Sequence, residues 1–305
     1  MSARTDLAAL SRKRLERLQT SLTAALETGE VEAIHQVRVC SRKLVEFIHI
    51  FGTCLGERPI RRARKSLRRI RNLFRDVRDL DVLQTSLSKV GGDTNMSPTD
   101  LAQLEGCLTT RRERALNQVR AECKSRRIGR ATDQVEALID DFEESATEDD
   151  AQILDAARSR WRKRADDLIH ETDANTRRES LHPMRLQLKR FRYSSELLLR
   201  LEGREGQEVL HELAGLQDEL GAWNDGVFAV REVTRIARQP DTLAAEPRRS
   251  ASLLAYAGAR CVDMEARHES ILSRLPATHA YLRRVRQSSL MFDPAGPATL
   301  ANTAG

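Results

Sequence analysis

The sequence predicts an all-α protein made of two related helical bundles. Apolar residues recur at steps of three and four along most of the chain, and no segment shows the alternation of a half-buried strand. Charged residues make up 31% of the 305 residues and aromatic residues only 4%, which suits long solvated helices better than a sheet. A repeated basic motif relates the two bundles to each other.

The repeat consists of a His-x2-Arg motif with further basic residues, found at 35–43 and again at 182–193. Asp79 lies 44 residues after the first histidine, and Asp225 lies 43 residues after the second. Such a recurrence predicts an internal duplication. We therefore expect two sequence-related bundles of about four or more helices each, with two cationic faces that could line one anion site.

Glycine and proline divide the first half, residues 5–145, into helices. Gly29 ends the first helix, Gly52 follows the second, and Pro59 lies in the first turn of the third, where its missing N–H costs little. Ser97 is an expected N-cap for the fourth. The predicted helices are about Thr5–Glu27, Glu30–Phe51, Pro59–Val90, Pro98–Arg127 and Arg130–Glu144.

An acidic stretch at 143–150 separates this half from the second, residues 150–288, and the two halves form one expected domain over 5–288. The residues from 289 to 305 are predicted to be a disordered tail. The predicted helices of the second half are about Ala151–His170, Leu181–Leu201, Gln207–Arg238, Pro247–Leu275 and Ala277–Gln287.

The charge is distributed unevenly. Residues 58–78 hold ten basic residues and one acid, whereas 140–150 hold seven acids and no base, although the net charge is only +6. This pattern indicates a local cationic surface. Five scattered cysteines predict reduced thiols, and the start has no signal peptide and the chain no membrane span. We therefore expect a cytoplasmic protein that does not contact a membrane.

Helix geometry turns each motif into a stripe, because positions +3, +7, +10 and +14 from a histidine lie on one side of a helix. The first stripe comprises Arg38, Arg42 and His49 with Lys43 beside them. The second comprises Arg185, Lys189 and Arg192 with Arg190 beside them. The third helix adds a row that includes Arg64, Arg68, Arg71 and Arg75. Arginine forks match phosphate oxygens, but such rows also occur simply as solvated or acid-paired faces.

The histidines and aspartates of the motifs leave alternatives open. His35 and His182 either donate to phosphate oxygen or pack against the other bundle, and neither has a metal-ligating partner at i+3 or i+4. Asp79 and Asp225 are expected to orient arginines or to cap helices.

These stretches resemble the CHAD domain, an α-helical family whose members bind inorganic polyphosphate. The matching segments are 35–51, 73–83, 181–199 and 216–229, the last containing the pair Asn224 and Asp225. The resemblance implies two pseudo-symmetric four-helix bundles around a basic central channel or groove. It also implies the following polyphosphate-binding residues: His35, Arg38, Arg42, Lys43, His182, Arg185, Lys189, Arg190, Arg192 and Tyr193.

The chain departs from the family pattern in its first half. Val45 stands where such domains tend to carry Arg, and Arg75 stands where the second half has Gly221. Family members often accompany a triphosphate-tunnel phosphatase domain with a Glu-x-Glu-x-Lys strand. The nearest match, at 30–34, lacks the lysine. We expect a stand-alone binding module, recruited to polyphosphate granules.

Three other functions are alternatives to polyphosphate binding. Nonspecific nucleic-acid binding would use the same stripes, but few aromatics are present for base stacking, and Trp161 and Trp223 are expected core residues. An enzyme would need a P-loop, a metal cluster or a nucleophile beside a base, and none is visible; Cys40 points away from the first stripe. A purely structural helical scaffold is the third alternative. No cofactor is expected, and the oligomeric state is not predicted.

Overall fold

The computed structural model describes residues 2–52, 54–89, 96–124, 129–145, 150–173, 181–204 and 208–288. Every regular element in these ranges is an α-helix, which confirms the predicted all-α class. The helices are α1 Ala3–Glu27, α2 Val31–Phe51, α3 Glu57–Leu73, α4 Arg75–Lys89, α5 Pro98–Lys124, α6 Gly129–Glu144, α7 Asp150–Thr172, α8 His182–Leu201, α9 Glu208–Glu212, α10 Ala214–Ala237, α11 Pro240–Ala245 and α12 Pro247–Ser288.

The chain forms two compact units, and each unit draws on both halves of the sequence. The first unit takes residues 1–75, 119–215 and 275–305, and the second takes 76–118 and 216–274. The units therefore divide the chain differently from the sequence halves at 5–145 and 150–288. The internal duplication and the central channel remain predictions.

The first unit is organised around two pairs of consecutive long helices. Helix α1 packs on α2, α7 packs on α8, and α2 also contacts both α7 and α8. Helix α3 packs on α2 and α6, and α6 also contacts α1. The apolar stripes close over completely buried side chains such as Ile34, Leu44, Leu168 and Phe191. Full burial of one such side chain stabilises the fold by about 1.5–3 kcal/mol.

The second unit has a core of its own, formed by residues of α4, α5, α10 and α12. Leu83, Leu104, Val233 and Leu253 are completely buried there, and the ring of Tyr256 belongs to the same core. Each helix contributes apolar residues at steps of three or four, as a bundle requires.

The third predicted helix, Pro59–Val90, is in fact two helices, and the prediction of one continuous element is wrong. Helix α3 ends at Leu73, and Phe74 adopts φ −90° and ψ 13° before α4 begins. The ring of Phe74 is completely buried, so packing holds this backbone conformation in place. The break lies one residue before the boundary between the units at Arg75 and Asp76.

Two further helix boundaries differ from the predictions. The predicted helix over 207–238 is divided at Leu213 into α9 and α10, and the two predicted helices over 247–287 form the single helix α12. Helix α12 contains Pro276 in its interior, with the buried residues Leu275 directly before it and Thr278 two positions after it. Burial on both sides of the proline offsets the hydrogen bond that it removes. The predicted tail at 289–305 lies outside the described residues.

Candidate anion-binding site

The two helices that carry the repeated motif, α2 and α8, pack against each other within the first unit. Lys43 of α2 forms an ion pair with Glu196 of α8, and its Nζ lies 5.5 Å from the ring centre of Tyr193. The structure thus places residues of both motif copies side by side.

Arg71 of α3 experiences the positive charges of several neighbouring arginines. Its pKa is lowered to about 10, first by burial and then by the charges of Arg42, Arg68, Arg190 and Arg75. These residues come from α2, α3, α8 and the first residue of α4. Arg42 and Arg190 belong to the repeated motif, and Arg68, Arg71 and Arg75 belong to the basic row of the third predicted helix. These five arginines therefore lie close enough to repel one another.

Helix α7 adds cations that were not predicted from the sequence. The pKa of His49 on α2 is lowered to about 3, first by burial and then by the charges of Arg160, Arg64, Arg164 and Lys163. Three of these four cations belong to α7. The run of basic residues at 160–164 is visible in the sequence, but it belongs to neither motif. Only the packing of α7 on α2 shows that these cations face His49.

These residues converge on one region of the first unit, and we call them the cationic cluster. Its members, among which the neutral imidazole of His49 lies, are Arg42, Arg64, Arg68, Arg71, Arg75, Arg160, Lys163, Arg164 and Arg190. Throughout the described ranges, no acid forms an ion pair with Arg42, Arg64, Arg68 or Arg71. Like charges held together without counterions repel one another.

One buried acid, Glu46 of α2, holds the α7 cations in place. Its side chain is 4% exposed, and Oε2 accepts a hydrogen bond of 3.0 Å from Arg160 Nε while Oε1 accepts one of 2.9 Å from Arg164 Nη2. Two guanidinium groups thus share the Glu46 carboxylate. Arg164 Nη1 also donates a 3.3 Å hydrogen bond to Asp167 Oδ2, so two acids face Arg160 and Arg164, and Lys163 adds a further positive charge. The same contacts join α2 to α7.

Tyr193 supports cations and does not present a free surface. The residue is 4% exposed, and Arg192 Cζ lies 5.2 Å from its ring centre, with Lys43 also over the ring. Arg192 Nε lies 3.3 Å from Glu196 Oε1. The aromatic ring therefore holds one cation from each motif copy through cation–π contacts.

Arg38 contacts the backbone at the end of α3. Its Nη1 donates a hydrogen bond of 3.1 Å to the carbonyl oxygen of Arg71, in the last turn of the helix. A cation at this position complements the partial negative charge of the helix C-terminus.

The other predicted residues of the two motifs lie elsewhere on α2 and α8. His35, Arg185 and Lys189 are half-buried, and His182 is exposed as the first residue of α8. Each of the four interacts with other groups of the chain. None of them is among the charges that act most strongly on Arg71 or His49.

The residues predicted to orient arginines belong to the second unit. Asp79, Asn224 and Asp225 are half-buried there. The more deeply buried acid of that unit is Asp81, whose Oδ1 accepts a hydrogen bond of 2.5 Å from Arg112 Nε. Asp81 is the second aspartate of the Arg-Asp-Leu-Asp sequence. Its burial could have been predicted, because it lies on the same side of the helix as the apolar residues of α4.

The described part of the chain contains neither a metal site nor a membrane span. No group of three or more His, Cys, Asp or Glu side chains there has the arrangement of a metal site. No helix in those ranges is long and apolar enough to cross a bilayer.

Comparison with known proteins identifies the class. The family model of the CHAD domain matches residues 9–234, about three quarters of the chain, and the protein belongs to this family. The crystal structure of the CHAD domain from the plant Ricinus communis is similar, with a TM-score of 0.63 and 22% identity over 89% of this chain and 92% of that one. PptA from Streptomyces chartreusis is also similar, with a TM-score of 0.62 and 20% identity over 90% and 99%. These likenesses confirm the fold alone. No curated protein matches the chain.

Proposed function

We propose that this CHAD domain binds inorganic polyphosphate through the cationic cluster. The observation that carries the proposal is the convergence of four arginines from α2, α3, α4 and α8 on the partly buried Arg71, whose pKa burial and these charges lower to about 10. An arginine side chain normally stays protonated far above that pH. The free protein therefore holds positive charge where it is disfavoured, and a bound polyanion would offset that cost.

The composition of the cluster favours a chain of phosphates over a single phosphate. Guanidinium groups form paired hydrogen bonds with phosphate oxygens. Cations from α2, α3, α7 and α8 take part, so a ligand with many linked phosphates meets several of them at once. Linked contacts raise affinity beyond that of any one contact.

The aromatic residues favour polyphosphate over single-stranded nucleic acid. Proteins that bind single strands without sequence preference stack bases on exposed aromatic rings. Trp161 is 3% exposed and Trp223 is 9% exposed, so both are core residues, as the sequence predicted. Neither ring offers a face for a base.

We further propose that the domain binds polyphosphate without hydrolysing it, as a module that is recruited to polyphosphate granules. Fluorescence microscopy of a tagged chain in a polyphosphate-storing cell tests the recruitment. Incubation with long-chain polyphosphate, followed by an orthophosphate assay, tests whether the domain hydrolyses polyphosphate. Release of orthophosphate by the purified protein, and not by a cluster variant, would show an enzyme.

The decisive experiment is a titration with long-chain polyphosphate at two salt concentrations, with orthophosphate, ATP and single-stranded DNA as competitors. We expect polyphosphate to bind most tightly and to be displaced least by the competitors. Affinity should fall as the salt concentration rises, because binding releases counterions from the polyanion and added salt opposes that release. This relation is established for nucleic acids, and we extend it to polyphosphate. Equal binding of DNA and polyphosphate would instead indicate a generic basic surface.

Helix α3 offers a matched pair of variants for this titration. Arg64 and Arg68 belong to the cluster, whereas Arg62 and Arg69 lie about 100–160° further round the same helix, and all four are exposed. Both double substitutions to Ala remove two positive charges. We expect the Arg64/Arg68 variant to lose about tenfold or more in affinity and the Arg62/Arg69 variant to lose much less. Equal losses would refute the assignment of the site.

A further inference from the structure

Glu196 is an acid placed among the cations of both motif copies. Its carboxylate forms an ion pair with Lys43 of α2, and its Oε1 lies 3.3 Å from Arg192 Nε on α8. Both cations also lie over the ring of Tyr193. One carboxylate thus occupies two of the groups that the repeated motif supplies for an anion.

Glu196 is held less firmly than Glu46, the acid that pairs with Arg160 and Arg164. Glu46 has a 4% exposed side chain and holds two arginines that are 15% and 10% exposed. The side chain of Glu196 is 32% exposed, as is that of Arg192, and that of Lys43 is 17% exposed. Ion pairs at such partly exposed positions are weak, because water and salt screen them.

The chemistry of Glu196 resembles that of the proposed ligand. A carboxylate offers two anionic oxygens to Lys and Arg, as a phosphate group does. The tethered carboxylate has a high effective concentration at Lys43 and Arg192 and excludes a competing anion until it is displaced. Lys43 directly follows Arg42 of the cluster on α2, so a polyphosphate chain held at the cluster would bring a further phosphate group to this pair of cations at a high effective concentration.

We infer that Glu196 is an internal competitor that keeps the subsite formed by Lys43 and Arg192 closed in the free protein. A polyphosphate chain opens the subsite by displacing the carboxylate, which can swing toward solvent. This role rests on the proposed function. It assigns Glu196 as the residue that limits affinity at the Lys43–Arg192 subsite.

The test compares Glu196→Gln with a control, Glu143→Gln. Glu143 of α6 pairs with Arg12 of α1, so its substitution also removes one negative charge from a partly exposed ion pair in the first unit. The amide that replaces the Glu196 carboxylate keeps an oxygen that can accept a hydrogen bond from Lys43, which preserves the α2–α8 contact. Thermal unfolding followed by circular dichroism checks that both variants fold.

We expect Glu196→Gln to bind long-chain polyphosphate about three- to tenfold more tightly than the wild type, and Glu143→Gln to change affinity less than about twofold. The logarithmic salt slope should steepen by about one, because another cation then releases its counterion. Lys43→Ala should also cost more affinity in the Glu196→Gln background than in the wild type, since only there is Lys43 free of a competing carboxylate before binding.

Two outcomes would overturn the inference while leaving the proposed function intact. Equal affinities of the two variants would show a general charge effect, and weaker binding by Glu196→Gln would show that the carboxylate positions the cations. Absence of polyphosphate binding by folded wild-type protein would refute the proposed function itself, and the role of Glu196 with it.

Discussion

The side chain of Arg38 donates a 3.1 Å hydrogen bond to the main-chain carbonyl of Arg71, whose own guanidinium lies within the cationic cluster. Arg38, a residue of the first motif copy, thereby binds the C-terminal end of α3, the helix that carries Arg64, Arg68 and Arg71. The helix break at Phe74 explains why that carbonyl is available, since α3 ends two residues after Arg71.

Arg38→Ala should therefore destabilise the fold. The variant loses a charge-assisted hydrogen bond and a favourable contact with the helix C-terminus, and we expect the free energy of unfolding to fall by about 1–2 kcal/mol. Urea denaturation followed by circular dichroism measures it. Arg42→Ala, one turn further along α2, is the control. It removes a repelled charge and should leave stability unchanged or slightly raised, so equal losses in both variants would contradict the assigned role.

Glu46→Gln should destabilise the fold more strongly. The carboxylate is the counterion of two guanidinium groups. Its removal leaves Arg160 buried without a compensating charge and leaves Arg164 with Asp167 alone. Breaking a buried pair in this way costs about 3–5 kcal/mol. Chemical denaturation at neutral pH provides the measurement.

The control for this substitution is Glu143→Gln, which breaks a pair whose two side chains are 38% and 46% exposed. We expect this exposed pair to contribute less than about 1 kcal/mol. A small effect of Glu46→Gln, similar to that of the control, would mean that α7 and α2 are held together by apolar packing alone.

The all-α fold and the helices that carry the motifs could be predicted from the sequence because they depend on local spacing. Steps of three and four residues predicted the long helices, and the His-x2-Arg motif predicted that α2 and α8 carry comparable basic faces. The contact between these two helices, through Lys43 and Glu196, agrees with that interpretation. It joins residues 153 positions apart.

The rest depends on tertiary packing, which local spacing does not encode. The α3–α4 break was missed because Phe74 continues the apolar periodicity and no glycine or proline marks the position. Arg160 and Arg164 were missed because their helix shares no motif with α2, and only the buried carboxylate of Glu46 brings them to it. The acid itself was visible in the sequence of α2, but its two partners were not.

The imidazole of His49 should remain neutral in the folded protein at every pH above about 4. Its pKa is lowered to about 3 by burial and by Arg160, Arg64, Arg164 and Lys163, whereas an unfolded chain has the ordinary value of about 6.5. Glu46 pairs with Arg160 and Arg164, and Asp167 also pairs with Arg164. NMR titration of the His49 ring protons should show no transition between about pH 5 and 8.

The same shift makes stability depend on pH. Between the two pKa values the unfolded chain binds a proton at His49 that the folded protein does not bind, so the contribution of His49 is present above about pH 6.5 and is lost as pH falls toward 3. His49→Gln should therefore lose less stability between about pH 7 and pH 4.5 than the wild type. Identical pH dependence of the two proteins would contradict the assigned shift.

Two glycines of α10 should respond differently to alanine. A Cβ on Gly221 would meet nothing within 4 Å, so Gly221→Ala should stabilise the fold by about 0.5–1 kcal/mol through helix propensity alone. A Cβ on Gly226 would lie 2.9 Å from Cγ and 3.1 Å from Sδ of Met264 on α12. Met264 must move to accommodate it, and we expect Gly226→Ala to be less stable than Gly221→Ala by about 1 kcal/mol or more.

The difference in stability between these two alanine variants tests the role of Gly226, the glycine that follows Asn224 and Asp225. If Gly226 serves close packing of α10 on α12, a Met264→Ala background should restore the stabilising effect of Gly226→Ala, because the obstructing side chain is gone. Urea denaturation of the four proteins in this cycle measures the coupling. Equal gains from both glycine substitutions in the wild-type background would show that Met264 adapts without cost, and the glycine would then be explained by something other than packing.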